Sequence, residues 1–109
     1  MKYLITESQR DKAIFKYLDN QDLIRVEYGN NIYFVNSEND EYAQIRYDEN
    51  DEWCFISYKL VNEISSFFSL RESNSKKVIG KWVENNLKMK VTNIFFVTED
   101  MVSSLRTPN

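Results

Sequence analysis

The sequence predicts an α+β fold: a single domain spanning residues 1–109, in which an antiparallel four- to five-stranded meander sheet is packed by N-terminal and C-terminal helices. Three observations carry that expectation. Apolar residues alternate with a period of two through the middle of the chain and return to helical spacing on either side. Only two glycines and one proline, Pro108, occur, so no Pro/Gly/Ser-rich linker divides the chain. At 42% apolar and 15% aromatic residues, the composition supplies a core without disulfides or metal.

The elements follow in order. Thr6 has the character of a helix N-cap, with Gln9 at capping-box spacing, and a helix is expected from Glu7 to about Asp19. Its apolar positions Ala13, Ile14, Tyr17 and Leu18 share one face, and Asn20 is the expected terminator. From Leu23 the period becomes two: Ile24, Val26 and Tyr28 alternate with Arg25 and Glu27, residues 29–31 turn, and residues 32–35 run back as a β-hairpin. A third strand is expected over 42–47 and a fourth over 53–58. The fourth is apolar on both faces and is expected to be the most buried.

Helical spacing resumes at Lys59, where Leu60, Val61, Ile64, Phe67 and Phe68 form a stripe. After a polar break at 71–75, with Ser73 or Ser75 as cap, Val78, Ile79, Trp82, Val83 and Leu87 define another helix. Gly80 lies inside it. A glycine there costs about 1 kcal/mol relative to alanine, so it predicts a close approach by another element. Met89, Val91 and residues 94–97 predict a last strand, and Thr98 caps a short helix containing Met101, Val102 and Leu105.

Charge is unevenly placed: residues 1–52 carry a net −6 and residues 53–109 a net +3, within a total of −3. The acidic excess centres on a repeated phrase, Glu38-Asn39-Asp40-Glu41-Tyr42 and Glu49-Asn50-Asp51-Glu52-Trp53. Seven carboxylates fall between 38 and 52 against one base, Arg46. A shared cation site conflicts with the geometry. The two phrases flank a strand and lie on the order of 20 Å apart at about 3.3 Å per residue, whereas the ligands of one calcium ion lie within about 2.5 Å of it. Two solvated hairpin turns account for the repeat, since Asn and Asp favour turns and each phrase precedes an aromatic that starts a strand. A functional acidic rim is the alternative.

The chain contains no histidine, which removes Ser-His and Cys-His catalytic systems and His-containing zinc sites. With only Gly29 and Gly80, no phosphate-cradling glycine-rich loop can form, and no cofactor is expected. Cys54, in Trp-Cys-Phe-Ile, reads as a small buried hydrophobe, and as the only cysteine it forms no internal disulfide. A cytoplasmic setting is expected. A cofactor-free enzyme using carboxylates stays formally open, though no pair is singled out. No apolar run approaches the roughly 20 residues of a membrane span.

A basic stretch supplies the case for nucleic acid: Arg71, Lys76, Lys77, Lys81, Lys88 and Lys90 surround Trp82. If Trp82 packs inward with Ile79 and Val83, these bases form a solvated helix face, and the overall acidity counts further against phosphate binding.

Lys2-Tyr3-Leu4-Ile5-Thr6-Glu7-Ser8-Gln9 and Val78-Ile79-Gly80-Lys81-Trp82-Val83-Glu84 resemble segments of small uncharacterised proteins of bacteriophages and marine environmental sequence collections. The resemblance implies an origin, not an activity, and in a phage setting it favours a small binder of a host or virion protein. The expectation is therefore a protein-interaction module with Glu38, Asp40, Glu41, Asp48, Glu49, Asp51 and Glu52 as its charged rim and Tyr42 or Trp53 as anchor. Nucleic-acid binding by the basic helix is its rival, and self-association through an exposed sheet edge is a third possibility.

Overall fold

The computed structural model describes residues 7–36, 42–98 and 102. Its elements are α1 (Glu7–Asp19), β1 (Ile24–Tyr28), β2 (Asn31–Val35), β3 (Ile45–Asp48), β4 (Trp53–Ser57), α2 (Tyr58–Phe68), α3 (Glu72–Leu87) and β5 (Asn93–Val97). The strands form one sheet in sequence order, β1-β2-β3-β4-β5. The first four make the expected antiparallel meander, with Ile24 opposite Val35, Phe34 opposite Ile45, and Tyr47 opposite Cys54. β5 runs parallel to β4, so the sheet is mixed. The reason lies in the connection: two helices carry the chain from the end of β4 back past its start, as parallel pairs require.

The helices pack on one sheet face. Ile32, Phe34, Ile45, Tyr47, Cys54 and Ile56 point into a core shared with Ile14 and Leu18 of α1, Leu60, Val61 and Ile64 of α2, and Val78, Ile79, Trp82, Val83 and Leu87 of α3. Each such side chain, fully buried, contributes about 1.5–3 kcal/mol. The opposite face carries a smaller cluster of Tyr33, Val35, Ala43 and Val102, with Ile24, Val26 and Val97 against it. A sheet buried on both sides explains why β2 reads Ile-Tyr-Phe-Val without alternation. It also makes β2 more completely buried than β4, the reverse of the expectation.

Several boundaries shift for identifiable reasons. β3 starts at Ile45, because Gln44 is drawn inward to accept a hydrogen bond from Ser57 Oγ at 2.7 Å. Ser57 also ends β4: its Oγ accepts from Leu60 N at 3.2 Å and caps α2, which begins at Tyr58 rather than Lys59. Neither Ser73 nor Ser75 caps α3. The helix begins at Glu72 with Arg71 as an N-cap lacking a side-chain bond, and the buried Ser75 Oγ meets Ser65 Oγ of α2 at 2.8 Å. The last strand holds 93–97 only, since Lys88 ends α3 in the left-handed conformation, φ 57°, and Met89 is exposed.

Gly80 meets its expectation. A methyl at that position would overlap Ile94 Cδ1 of β5 and approach Ile94 Cγ1 to 3.1 Å, so α3 lies against β5 at a distance that only glycine permits without displacing Ile94. The caps placed at Thr6 and the acidic residues Glu38, Asp40 and Glu41 lie outside the described residues. Of the short terminal helix expected after Thr98, Val102 is described: it is helical, buried, and donates its N–H to Thr98 O at 3.0 Å.

Candidate protein-interaction surface

The second acidic phrase forms the β3–β4 turn. Asp48 Oδ1 accepts from Asn50 N at 2.9 Å, and Asp48 O accepts from Glu52 N at 2.8 Å, so the first carboxylate of the turn is engaged in shaping it. Glu52, not Asn50 or Asp51, takes the left-handed conformation, φ 60°. Its carbonyl then accepts from Thr92 N at 2.8 Å and Thr92 Oγ1 at 3.1 Å, which ties the turn to the start of β5. Glu49 and Asp51 project into solvent. Among the described residues, no group of three or more Asp, Glu, Cys or His could hold a metal ion.

Of the expected anchors, Tyr42 is exposed and Trp53 half-buried, but they sit at opposite ends of β3 and β4 and do not converge. Trp53 instead joins two residues that the sequence reading left out. Because side chains alternate along a strand, Trp53 and Phe55 of β4 share a face with Phe95 of β5. Phe55 and Phe95 stack at 5.3 Å between centroids with 23° between planes, and Trp53 stands edge-on to Phe95 at 5.4 Å and to Phe55 at 6.3 Å. Phe95 is 39% exposed. The signal in the sequence was the Trp-x-Phe spacing, but Phe95 could be added only once the parallel β4–β5 register was known.

Arg46 extends this row. Its guanidinium lies 4.2 Å from the centroid of Phe55, and one terminal nitrogen donates to Asn31 Oδ1 at 3.1 Å. The residue is 5% exposed, makes no ion pair among the described residues, and has a buried Nε without a partner. Burial pushes its pKa down, against the smaller opposing effects of Tyr33 and Asp48. On the other face, burial followed by Glu52 and Glu49 raises the Tyr47 phenol, which donates to Lys90 O at 2.6 Å. Cys54 is fully buried and its thiol is pushed up to about 12, by burial first and Glu84 second, which removes it as a nucleophile at neutral pH.

The basic residues do not gather. Arg71 and Lys88 cap opposite ends of the 16-residue α3, about 24 Å apart at 1.5 Å per residue. Lys81 Nζ lies 3.4 Å from Asp11 Oδ2, and Lys76 sits 5.4 Å over the ring of Phe96. Lys77, Lys88 and Lys90 are exposed, while Trp82 points inward and donates Nε1–H to Asp19 Oδ1 at 2.9 Å. A notch of about 270 Å³ opens beside that bond, bordered by Asp22, Arg25, Phe34 and Asn86. It is smaller than most small-molecule sites. No described helix is long and apolar enough to cross a membrane.

In comparison with known proteins, the chain matches no family model, no curated protein and no solved structure.

Proposed function

We propose that this chain is a non-enzymatic, cytoplasmic protein-interaction module that works without a cofactor. Its contact surface is the β3–β4 turn together with the ring cluster beside it. The observation that carries the reading is the juxtaposition of Trp53, Phe55 and a 39%-exposed Phe95 with a turn bearing Asp48, Glu49, Asp51 and Glu52. Rigid aromatic anchors beside a charged rim are the usual anatomy of an energetic hot spot. The chemistry fits a partner segment that presents Lys or Arg next to apolar side chains. It suits a polynucleotide poorly, because the same carboxylates repel phosphate although the rings could stack on bases. The likeness of residues 2–9 and 78–84 to small bacteriophage proteins is in keeping with such a binder.

The test is affinity capture from bacterial lysate, the host setting that the phage resemblance implies, with and without nuclease. A nuclease-resistant protein partner is expected, its recovery reduced at least about thirtyfold by Trp53→Ala, as for a hot-spot residue contributing about 2 kcal/mol. The combined Asp51→Asn and Glu52→Gln change should weaken binding mainly through the association rate. Lys77→Glu with Lys81→Glu should leave it unaltered. Loss of binding only in that last variant, with nuclease-sensitive recovery, would transfer the function to the basic helix and nucleic acid.

A further inference from the structure

The two outer strands of the sheet are built differently. β1 carries Arg25 and Glu27, paired across 3.9 Å and exposed, a device that discourages strand addition. β5 reads Asn93-Ile94-Phe95-Phe96-Val97, with no charge and no proline, and β4 is its one neighbour among the described strands.

Hydrogen bonds elsewhere in the sheet fix which backbone groups of β5 face outward. Glu49 N donates to Asn30 O and Ser57 N donates to Gln44 O, both at 2.9 Å. The N–H and C=O of a strand residue point to one side and alternate along the chain. Trp53, Phe55 and Ser57 therefore direct their backbone groups toward β3, whereas Cys54 and Ile56 direct theirs toward β5. In the parallel register Cys54↔Ile94 and Ile56↔Phe96, the groups of Asn93, Phe95 and Val97 turn inward, and those of Ile94 and Phe96 turn away from the sheet.

We propose that β5 pairs antiparallel with β5 of a second copy of this chain, about a two-fold axis at Phe95, to give a continuous ten-stranded sheet. In that register the outward N–H and C=O of Ile94 meet those of Phe96 in the other copy, and reciprocally. Phe95 faces its own counterpart at a non-hydrogen-bonded site, where side chains approach most closely. Ile94 meets Phe96 on one face and Phe95 meets Phe95 on the other, Asn93 lies opposite Val97, and no charges are opposed.

The uncharged, self-complementary sequence of β5 suits a second copy as the occupant, and electrostatics favours the antiparallel direction. The acidic β3–β4 turn is tied to the N-terminal end of β5. Antiparallel pairing places the two turns at opposite ends of the joined strands, about 13 Å apart along the strand axis at 3.3 Å per residue, beyond the Debye length of about 8 Å at physiological salt. Among the described strands, the outer edges of the joined sheet are then the two charged β1 strands, so assembly closes at the dimer. A five-residue ladder with a few flanking rings falls below about 1,200 Å² of total interface, which places the dimer in the weak class.

Sedimentation velocity on the whole chain from about 1 to 300 μM, a span chosen for weak complexes, tests the proposal. The 13.1 kDa monomer should give way to a dimer within that range. Phe95→Lys and Phe95→Glu should each raise the dissociation constant at least about tenfold by opposing like charges, and mixing the two should restore dimer. Asp51→Asn with Glu52→Gln, which addresses the surface proposed above, should leave the dimer intact, so the two proposals fail separately. A wild-type monomer throughout, dimerisation unaffected by Phe95→Lys, or no rescue on mixing folded variants would each overturn the pairing. Should the Phe95 variants not fold, hydrogen exchange of wild type decides: the Ile94 and Phe96 amides must gain protection as concentration rises, and uniform exchange at all concentrations refutes the edge contact.

Discussion

Cys54 shows how burial sets the chemistry of a single side chain. The thiol lies under α3 with no exposed surface, and its pKa stands at about 12 in the fold, against about 8.5 in an unfolded chain. Below the unfolded value the thiol is protonated in both states and contributes no pH dependence. As pH rises further the unfolded chain ionises first, so unfolding releases a proton and stability falls, by up to about 1.4 kcal/mol per pH unit until the folded pKa is passed. Tyr47, also raised, acts in the same direction at higher pH. Urea titrations between pH 8 and 11 should therefore show a steeper loss of stability for wild type than for Cys54→Ala. Parallel slopes would mean that the thiol is not desolvated. The burial of Cys54 was legible in Trp-Cys-Phe-Ile, because an apolar run without charges predicts a covered strand. The burial of Arg46 was not, since alternation on an expected half-solvated sheet assigns an arginine to water.

At the scale of elements, the decisive contact joins α3 to β5. Gly80→Ala gains about 1 kcal/mol of helix propensity but drives a methyl into Ile94 Cδ1 and Cγ1, and overpacking of this kind costs about 1–3 kcal/mol. The single substitution is expected to be neutral to destabilising. Ile94→Val deletes Cδ1, and with that atom gone Gly80→Ala should become stabilising. A double-mutant cycle should report a coupling of at least about 0.5 kcal/mol, the threshold that separates contacting from independent sites. Additive effects would show that the two residues do not touch. Glycine in a helical stripe revealed that something came close, but not what. Periodicity is a local signal, and it located each of the eight described elements to within a few residues. The direction of β5 depends on two intervening helices and so left no local trace. Ser57 was missed as a cap although its bond to Leu60 N is local, because the apolar run 53–58 extended the expected strand over it; its second bond, to Gln44 thirteen positions away, left no local trace.

For the whole molecule, the sheet separates two environments. One face is sealed by three helices, and the other bears Arg46, Phe55 and Phe95 in a row that ends at the exposed edge strand. A guanidinium that is 5% exposed and that, among the described residues, has one neutral acceptor and no carboxylate within ion-pairing distance is a costly way to fill that position. Its lowered pKa has the same origin, because desolvation outweighs the attraction of Asp48. Where a buried charge lacks a close partner, an apolar side chain of similar length removes the desolvation cost and keeps most of the packing. Arg46→Met should therefore hold the melting temperature or raise it by up to about 4 °C, the shift expected for about 1 kcal/mol in a chain of this size. It also deletes the one base among the seven carboxylates of residues 38–52, making that half of the molecule still more negative. Calorimetry of wild type and Arg46→Met at 20 and 200 mM salt separates the two consequences. Desolvation predicts a gain at both salt concentrations, whereas a loss at low salt that vanishes at high salt would mean that Arg46 stabilises the fold by screening its acidic neighbours. A loss above about 2 kcal/mol at both would show instead that the arginine stem and its contact with Phe55 hold the exposed face together.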